Sequence, residues 1–313
     1  MNFIVFPGQG SQKISMGKDL SDNFIEAKEV FEEVNESLDY NLTKIMWGDD
    51  EKALSLTYNA QPALMACGVA SFRVLKKITG KTLPQLADYV CGHSLGEYTA
   101  MTVSEVFSLK ECSKLLRLRG NAMQKAVPVG KGAMAAFIGA DISTILDILK
   151  QVQSFGVCDI ANDNSDGQVV ISGDLEAVEN AINLMKQHGI KRAVLLPVSA
   201  PFHCRLMQPA QLTMEKALNN LEFQQPTLPI ISNINAEPET DPNKLRINLI
   251  DQVTGTVKWR ETMLLAKKLG VQKITELGSG KVLTGIAKRM IENVSILNIE
   301  NSADLKVFYS FKI

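Results

Sequence analysis

One serine in the sequence stands where a catalytic nucleophile would be expected. Ser94 follows the apolar run Tyr89–Cys91 and precedes a helical pattern that begins at about Leu95. Glycines lie two residues before and two residues after it, the pattern of a nucleophile elbow, where any side chain would clash in the tight turn. Such a turn exposes the serine hydroxyl and leaves the Leu95 amide free to stabilise an oxyanion. The alternative is an ordinary Gly/Ser turn, which the strand before it and the helix after it disfavour.

A serine nucleophile needs a base, and the chain has 3 histidines. His93 adjoins the serine, so its side chain should point elsewhere and serve the structure. His188 ends a helix, where a cationic residue is a common partner of the helix dipole. His203 remains as the candidate base, with a surface histidine in a proline-containing loop as the alternative.

No acidic member of a triad stands out in the sequence. Asp141 and Asp174 lie between the serine and His203, but both precede helices, where N-capping explains them. The sequence therefore predicts a Ser–His dyad whose histidine is oriented by another group, such as a backbone carbonyl.

A second clue is an arginine on the apolar face of a helix. The helix opens with a capping box at Ser108 and Glu111 and should end at about Ala126. Arg119 falls on its apolar stripe, where an unpaired guanidinium would cost several kcal/mol of desolvation. The sequence leaves three alternatives: the guanidinium pairs with a ligand anion, it pairs with a buried carboxylate of the protein, or its long side chain reaches out to solvent. The opposite, polar face is expected to consist of Lys110, Ser113, Lys114, Arg117, Asn121 and Gln124.

The elements that must position these residues alternate between short apolar runs and amphipathic helices. Such alternation predicts an α/β protein with parallel strands buried on both faces. The predicted elements of this part are a strand at 1–6, helices at 23–38 and 62–78, a strand at 89–91, and later strands at 229–232 and 274–277. The segment from about Val294 to Ile313 carries no motif.

A breaker cluster at 128–132 separates a second pattern from the first. Its predicted elements are a strand at 133–138, a helix at 142–152, strands at 157–161 and 169–172, a helix at 175–186 and a buried strand at 193–198. This β-α-β-β-α-β order predicts a ferredoxin-like unit. We therefore expect a large domain formed by residues 1–127 and 199–313, an inserted small domain of residues 128–198, and a cleft between them.

Composition excludes several classes of protein. Of 313 residues, 45% are hydrophobic and 21% are charged, which excludes intrinsic disorder. The formal net charge is -1, so no overall charge attracts nucleic acid or an anionic membrane. The 5 cysteines are scattered, with no close-spaced pair of the kind zinc sites use, which favours a reducing compartment. With no signal-like N-terminus and no membrane-length apolar run, the expected location is the cytoplasm.

Five motifs, in this order, resemble the malonyl-CoA:acyl carrier protein transacylase family over nearly the whole chain, from about Phe3 to Met290. They are Phe6–Gln12, Gly92–Tyr98, Arg119-Gly120, Pro201–His203 and Gly280–Gly285. The resemblance implies an α/β-hydrolase-like parallel-sheet core with an inserted ferredoxin-like subdomain.

The resemblance also implies roles for particular residues. Ser94 matches the nucleophile, His203 the general base, and Gln252 the residue whose main-chain carbonyl holds that histidine. Gln9 and Leu95 match the donors of the oxyanion-hole amides, and Arg119 matches the arginine that pairs with the malonyl carboxylate. The remaining matches lie near the acyl pocket or face the cleft: Gln61, Asn162, Asn164 and Gln168. The chain departs from the family pattern at Cys204, Asp166 and Ser279.

The expected reaction transfers the malonyl group from malonyl-CoA to the phosphopantetheine thiol of acyl carrier protein through a malonyl-serine intermediate. This transfer would supply fatty acid synthesis. No metal or redox cofactor is implied, because every step is acyl transfer. The alternatives are a related acyltransferase of a polyketide or lipid assembly line, a serine esterase, and a non-catalytic carrier-binding module. The basic segments are 191–192, Arg205, Lys281 and 288–289. They could bind an acidic carrier protein, or they could simply be solvated surface.

Overall fold

The computed structural model describes residues 1–190, 192–198 and 200–306. Lys191, Ser199 and the tail from Val307 lie outside the described residues. The ten strands of the described chain are β1 Asn2–Phe6, β2 Tyr89–Gly92, β3 Gly132–Ile138, β4 Cys158–Ser165, β5 Gln168–Asp174, β6 Arg192–Leu195, β7 Ile230–Ile231, β8 Pro238–Glu239, β9 Lys273–Leu277 and β10 Ser295–Ile299.

Helices make up most of the remaining structure. In the described residues they are α1 Lys18–Asn23, α2 Ile25–Leu38, α3 Leu42–Met46, α4 Glu51–Ser55, α5 Thr57–Thr79, α6 Leu83–Leu86, α7 Leu95–Val103, α8 Leu109–Ala126, α9 Ile142–Gln151, α10 Leu175–Gln187, α11 Gln208–Asn219, α12 Pro242–Gln252, α13 Trp259–Lys268 and α14 Val282–Met290. The predicted capping box of α8 is present, with the Ser108 and Glu111 side chains each bonded to the other's backbone amide.

The larger sheet has the strand order β10-β9-β1-β2-β7-β8. Neighbours from β10 to β7 are parallel, and β8 is antiparallel to β7. Central strand β1 is almost wholly buried, as expected for an apolar strand covered on both faces. The α/β prediction is thus confirmed, and the carboxyl ends of β1 and β2 meet at one edge, where Ser94 lies.

The smaller sheet has the order β4-β5-β3-β6 and every neighbouring pair is antiparallel. Helices α9 and α10 pack on it around a core of their own. The predicted β-α-β-β-α-β element order is therefore observed along residues 132–195.

Strand β4 fastens the smaller sheet to the rest of the molecule. Asn162 forms a β-bridge with Val257, and the amide of Val257 bonds to the Ala161 carbonyl. The Arg260 guanidinium pairs with the buried Asp163 carboxylate at 2.8 Å. The segment just after Gln252 is thereby held against β4.

The structure differs from the sequence predictions in three places. The expected buried strand at 193–198 is the short edge strand β6, where Val194 and Leu195 are about half exposed, because β6 pairs on one side only. Strand β10 lies in a segment for which the sequence predicted nothing. In addition, α5 begins five residues before Pro62. Proline cannot bond to the carbonyl four residues back, that of Tyr58, and Arg117 Nη1 donates to that carbonyl instead at 3.0 Å.

No helix in the described ranges is both long and apolar enough to cross a bilayer.

Candidate active site

Ser94 occupies the turn between β2 and α7 in a strained conformation. Its φ is 53° and its ψ is -110°, a region that side-chain-bearing residues rarely adopt. A Cβ at Gly92 would lie 2.0 Å from the Gly96 carbonyl, and one at Gly96 would lie 2.3 Å from the Phe6 carbonyl oxygen. Both glycines are therefore required by close backbone approach, as the sequence pattern predicts.

Asn233 pins this turn from both sides. Its Oδ1 accepts a hydrogen bond from the Ser94 amide at 2.7 Å, and its Nδ2 donates to the Gly92 carbonyl at 2.7 Å. Because both bonds involve main-chain atoms flanking the nucleophile, Asn233 fixes the direction in which the serine side chain leaves the turn.

His203 lies within hydrogen-bond distance of the serine hydroxyl. Its Nε2 is 2.7 Å from Ser94 Oγ, and its Nδ1 is 2.9 Å from the main-chain carbonyl of Gln252. A carbonyl can only accept, so Nδ1 carries the proton and Nε2 is free to accept one from the serine. Burial, together with the charge of Arg119, lowers the pKa of His203 to about 3. The imidazole is therefore neutral near pH 7, as a base must be.

The Arg119 guanidinium is 1% exposed and points into the same site. Its Nη2 donates to Ser94 Oγ at 3.2 Å and to Gln252 Oε1 at 2.7 Å, and its Nη1 donates to Gln61 Oε1 at 2.8 Å. The guanidinium also lies over the Tyr98 ring, 5.4 Å from the centroid. Arg119 forms no ion pair with any carboxylate of the described residues, and its Nε is buried without a partner there. A buried cation whose direct hydrogen-bond partners are all neutral can take an anionic ligand as a direct partner.

A buried carboxylate lies one amide away from this cation. Gln252 Nε2 donates to Glu97 Oε2 at 2.7 Å, while Gln252 Oε1 accepts from Arg119. The main-chain amide of Asn233 also donates to Glu97 Oε2, at 3.2 Å. Gln252 therefore orients His203 through its main chain and joins Arg119 to Glu97 through its side chain.

Of the predicted oxyanion residues, Leu95 adjoins the serine and Gln9 is connected to the site less directly. The Leu95 amide, in the first turn of α7, has no hydrogen-bond partner in the part of the chain that the structure describes. Gln9 is reached through a polar chain, because Thr57 Oγ1 donates to Gln9 Oε1 at 2.8 Å and accepts from Gln61 Nε2 at 2.9 Å. The loop carrying Gln9 is thus coupled to the Arg119 site.

The three residues expected from the smaller sheet are placed differently from one another. Asn164 Oδ1 is 2.9 Å from His93 Nε2, so it contacts the residue next to the nucleophile. Asn162 is buried at the bridge between the two parts of the molecule. Gln168 accepts a hydrogen bond from Arg289 on α14, and none of its hydrogen bonds within the described ranges involves the serine site.

Arg117 does not lie on a solvated face, and this corrects the sequence analysis. Its guanidinium is half-buried between the rings of Tyr40 and Tyr58 and bonds to Asn59 Oδ1 at 2.6 Å. Ser113, also expected on the polar face, is buried and bonds to the Leu109 carbonyl. A helical wheel takes account of one helix only. Here Tyr40 and the start of α5 cover Arg117, whereas Lys110 and Lys114 remain exposed.

The departures from the family pattern have local explanations. The Cys204 thiol is buried, which raises its pKa to about 11, and it donates to the Pro201 carbonyl at 3.1 Å. The Ser279 hydroxyl donates to the Ser11 carbonyl at 2.7 Å. Asp166 is exposed and lies 3.9 Å from Arg260. None of the three side chains forms a hydrogen bond or ion pair with the side chain of Ser94, His203 or Arg119 in the described structure.

Sequence reasoning gave no role to Glu97, Asn233 or Thr57. Glu97 stands in the first turn of a helix, where an acidic residue is ordinary, so its type raised no signal. Its burial beside Gln252 depends on a contact spanning 155 residues.

Comparison with known proteins places the chain in a family. The acyl transferase domain family matches residues 3–299. A relative from Haemophilus influenzae, named malonyl CoA-acyl carrier protein transacylase, is 38% identical over 99% of this chain and 98% of its own length. The crystal structure of an acyl-carrier-protein-S-malonyltransferase from Bartonella henselae is 46% identical, with a TM-score of 0.95 over 98% of this chain and 99% of that one.

A further solved structure includes a partner. It is described as a type II PKS acyl-carrier protein in complex with its malonyl-transacylase, and it matches with 38% identity and a TM-score of 0.94 over 99% of both chains. With a family match across nearly all its length and full-length relatives above 30% identity, this chain belongs to the acyl transferase domain family, among its malonyl-CoA:acyl carrier protein transacylases.

Proposed function

We propose that this chain transfers the malonyl group of malonyl-CoA to the phosphopantetheine thiol of acyl carrier protein, through an ester on Ser94. One observation carries the proposal: Ser94 Oγ lies 2.7 Å from a neutral histidine and 3.2 Å from a buried guanidinium without a carboxylate partner in the described chain. The first contact suits nucleophilic catalysis, and the second selects an acyl group that carries a negative charge.

In the acylation step, His203 Nε2 takes the proton of Ser94 Oγ as the oxygen attacks the thioester carbonyl. The developing oxyanion is held by the main-chain amides of Leu95 and Gln9. The carbon–sulfur bond then breaks, and the CoA thiolate receives the proton from His203. Gln252 keeps the imidazole in the required tautomer throughout, which replaces the carboxylate of a triad.

The transfer step reverses these events with a different thiol. The carrier thiol gives its proton to His203 and attacks the malonyl ester, after which Ser94 leaves and recovers the proton.

We propose no cofactor beyond the two substrates. Of the basic residues considered for carrier docking, Arg205 is already paired with Asp159 at 3.0 Å, which leaves it less available to an acidic partner.

The proposed architecture is an α/β-hydrolase-like core of residues 1–127 and 199–313 with a ferredoxin-like subdomain of residues 128–198, and a cleft between them. The parallel order of the larger sheet and the antiparallel β4-β5-β3-β6 order support it. We place the reaction in the cytoplasm, where reduced thiols persist; the five cysteines are free and buried.

Mass spectrometry tests this proposal. Incubation with malonyl-CoA should leave a malonyl adduct on Ser94 that holo acyl carrier protein removes far faster than water does. Ser94→Ala should carry no adduct. An adduct on another residue would refute the assignment, and rapid loss to water alone would identify a serine esterase instead.

A further inference from the structure

Glu97 is a fully buried carboxyl group that the proposed mechanism does not use. It is 0% exposed, and its Oε1 makes no hydrogen bond within the described residues. Its Oε2 accepts from the Gln252 side chain and the Asn233 amide. An ionised carboxylate buried with one oxygen unbonded is costly unless a cation compensates it.

The only guanidinium joined to this carboxylate in the described structure is that of Arg119, through the Gln252 amide. Gln252 Oε1 faces Arg119 Nη2 at 2.7 Å while Gln252 Nε2 faces Glu97 Oε2 at 2.7 Å. The amide dipole is therefore aligned between a positive and a negative group, which is its favourable orientation. Before any acyl group binds, the two charges balance each other when Glu97 is ionised, which is the case above about pH 7.

A bound malonyl group would upset this balance. Its carboxylate brings a second negative charge to Arg119, so the buried cluster would carry one excess negative charge. Desolvating an uncompensated charge costs several kcal/mol, and a carboxylate can avoid that cost by becoming protonated. The malonyl carboxylate cannot do so while it pairs with Arg119, whereas Glu97 has a free oxygen.

We propose that Glu97 takes up a proton when a carboxylated acyl group pairs with Arg119, and releases it when that group leaves. Malonyl binding is then linked to proton uptake, and binding of an uncharged acyl group is not. The inference rests on the proposed function, because it takes malonyl as the acyl group.

The surroundings of Glu97 favour this exchange near neutral pH. Burial raises the pKa of Glu97 to about 7, against the lowering effects of Gln252, the Asn233 amide, the Ser232 hydroxyl and the charge of Arg119. The titratable groups that face it are Arg119 on α8, Cys91 on β2 and Tyr98 on α7 itself, and burial raises the pKa of both Cys91 and Tyr98 so that they stay neutral. Elsewhere the groups facing it are uncharged: Gln252 of α12, and Ser232 and Asn233 after β7.

Calorimetry in buffers of different ionisation enthalpy measures the proton directly. In Ser94→Ala, which binds without reacting, malonyl-CoA should take up a fraction of a proton per site between pH 7 and pH 8.5, and acetyl-CoA should take up less. The double variant Ser94→Ala/Glu97→Gln should show no such difference. An equal uptake for both thioesters, or a difference that survives Glu97→Gln, would overturn the inference.

A kinetic measurement does not depend on the double variant folding. In the unmodified protein, the malonyl-to-acetyl ratio of kcat/KM should fall by up to about tenfold per pH unit above neutrality, the limit for one linked proton. Glu97→Gln should make the ratio independent of pH. Glu276→Gln removes another 0% exposed carboxyl, one that bonds to Leu283 and Thr284, and should keep the dependence of the unmodified protein.

The outcomes separate the two proposals. If malonyl-CoA labels Ser94 but the ratio does not change with pH, only the role of Glu97 fails. If malonyl-CoA neither labels Ser94 nor binds Ser94→Ala, the proposed function fails and the role of Glu97 fails with it.

Discussion

The guanidinium of Arg119 touches the hydroxyl of Ser94, with Nη2 lying 3.2 Å from Oγ. The cation that would recognise the acyl group therefore sits at the atom that would carry it. A malonyl group on Oγ has a carboxylate two carbons beyond the ester carbonyl, short enough to fold back onto this guanidinium. An acetyl group has no carboxylate to pair with the guanidinium.

Arg119→Ala should therefore change selectivity. Loss of a charge-assisted interaction worth roughly 1.5 to 3 kcal/mol should lower kcat/KM for malonyl-CoA about 10- to 150-fold. The value for acetyl-CoA should fall much less, so the acetyl-to-malonyl ratio rises. Steady-state kinetics with both thioesters measures this, and an unchanged ratio would exclude a role in binding malonate.

The controls for this experiment follow from the structure. Arg119→Lys should rescue only in part, because an ammonium keeps the charge without the fork that contacts Gln61 and Gln252 together. Lys114→Ala alters the exposed face of the same helix and should leave kcat/KM unchanged for both substrates. The sequence alone would have suggested Arg117 as the surface control, but Arg117 fixes α5 and its loss should lower Tm.

His203→Ala should slow acylation of Ser94 by about 10²- to 10⁴-fold, since no other described group lies where it can take the serine proton. Rapid-quench measurement of the malonyl adduct isolates that step. His93→Ala removes the contact with Asn164 and should have the smaller effect. The reverse order of the two effects would mean that the base was misassigned.

The pH profile of the acetyl-CoA reaction should reflect the lowered pKa of His203. An ordinary imidazole would protonate near pH 6.5 and stop acting as a base there. Because burial and Arg119 lower the pKa of His203 to about 3, the acylation rate of Glu97→Gln, which lacks the other group titrating near pH 7, should show no inflection between pH 5.5 and pH 7. Acetyl-CoA is the substrate to use because it carries no carboxylate. An inflection at the ordinary value would contradict the assigned environment.

How far the sequence predicted this site depends on the range of each contact. Ser94 was identified because its turn is built from residues within two positions of it, and His203 because few histidines compete. Arg119 was singled out by the pattern of its own helix. The main-chain role of Gln252 was predicted from the family resemblance alone, and no role was predicted for Asn233 or Glu97. All three depend on contacts between distant segments, such as the bond from Gln252 to Glu97 across 155 residues, which no local pattern encodes.

The pH dependence of Tm should also reflect the protonation of Glu97. Its pKa is raised from 4.5 to about 7, so the neutral carboxyl is favoured in the folded protein. The stability that this contributes is fully present below about pH 4.5 and is lost as pH rises through about 7. Glu97→Gln mimics the neutral form, so its Tm relative to the unmodified protein should rise between pH 5 and pH 8.5. A Tm difference that does not rise over this range would show that folding does not raise the pKa of Glu97.

The spacing between α5 and α8 sets where Arg119 lies. A Cβ at Gly120 would lie 2.4 Å from the Cα of Tyr58 and 2.9 Å from the Thr57 carbonyl oxygen, all rigid backbone. Gly120→Ala should therefore push the helices apart, with a loss of about 1 to 3 kcal/mol of stability.

The same movement should draw Arg119 away from Gln61, because these residues lie on the two separated helices. The guanidinium should then bind the malonyl carboxylate more weakly. We expect a lower Tm together with a raised acetyl-to-malonyl ratio. Gly285→Ala is the matched control, since the nearest atom to its new methyl group is the flexible end of Arg289 at 4.0 Å and alanine favours the helix. If Gly120→Ala lowered Tm but left the substrate ratio unchanged, helix spacing would govern stability alone, and Arg119 would be positioned by Gln252 rather than by Gln61.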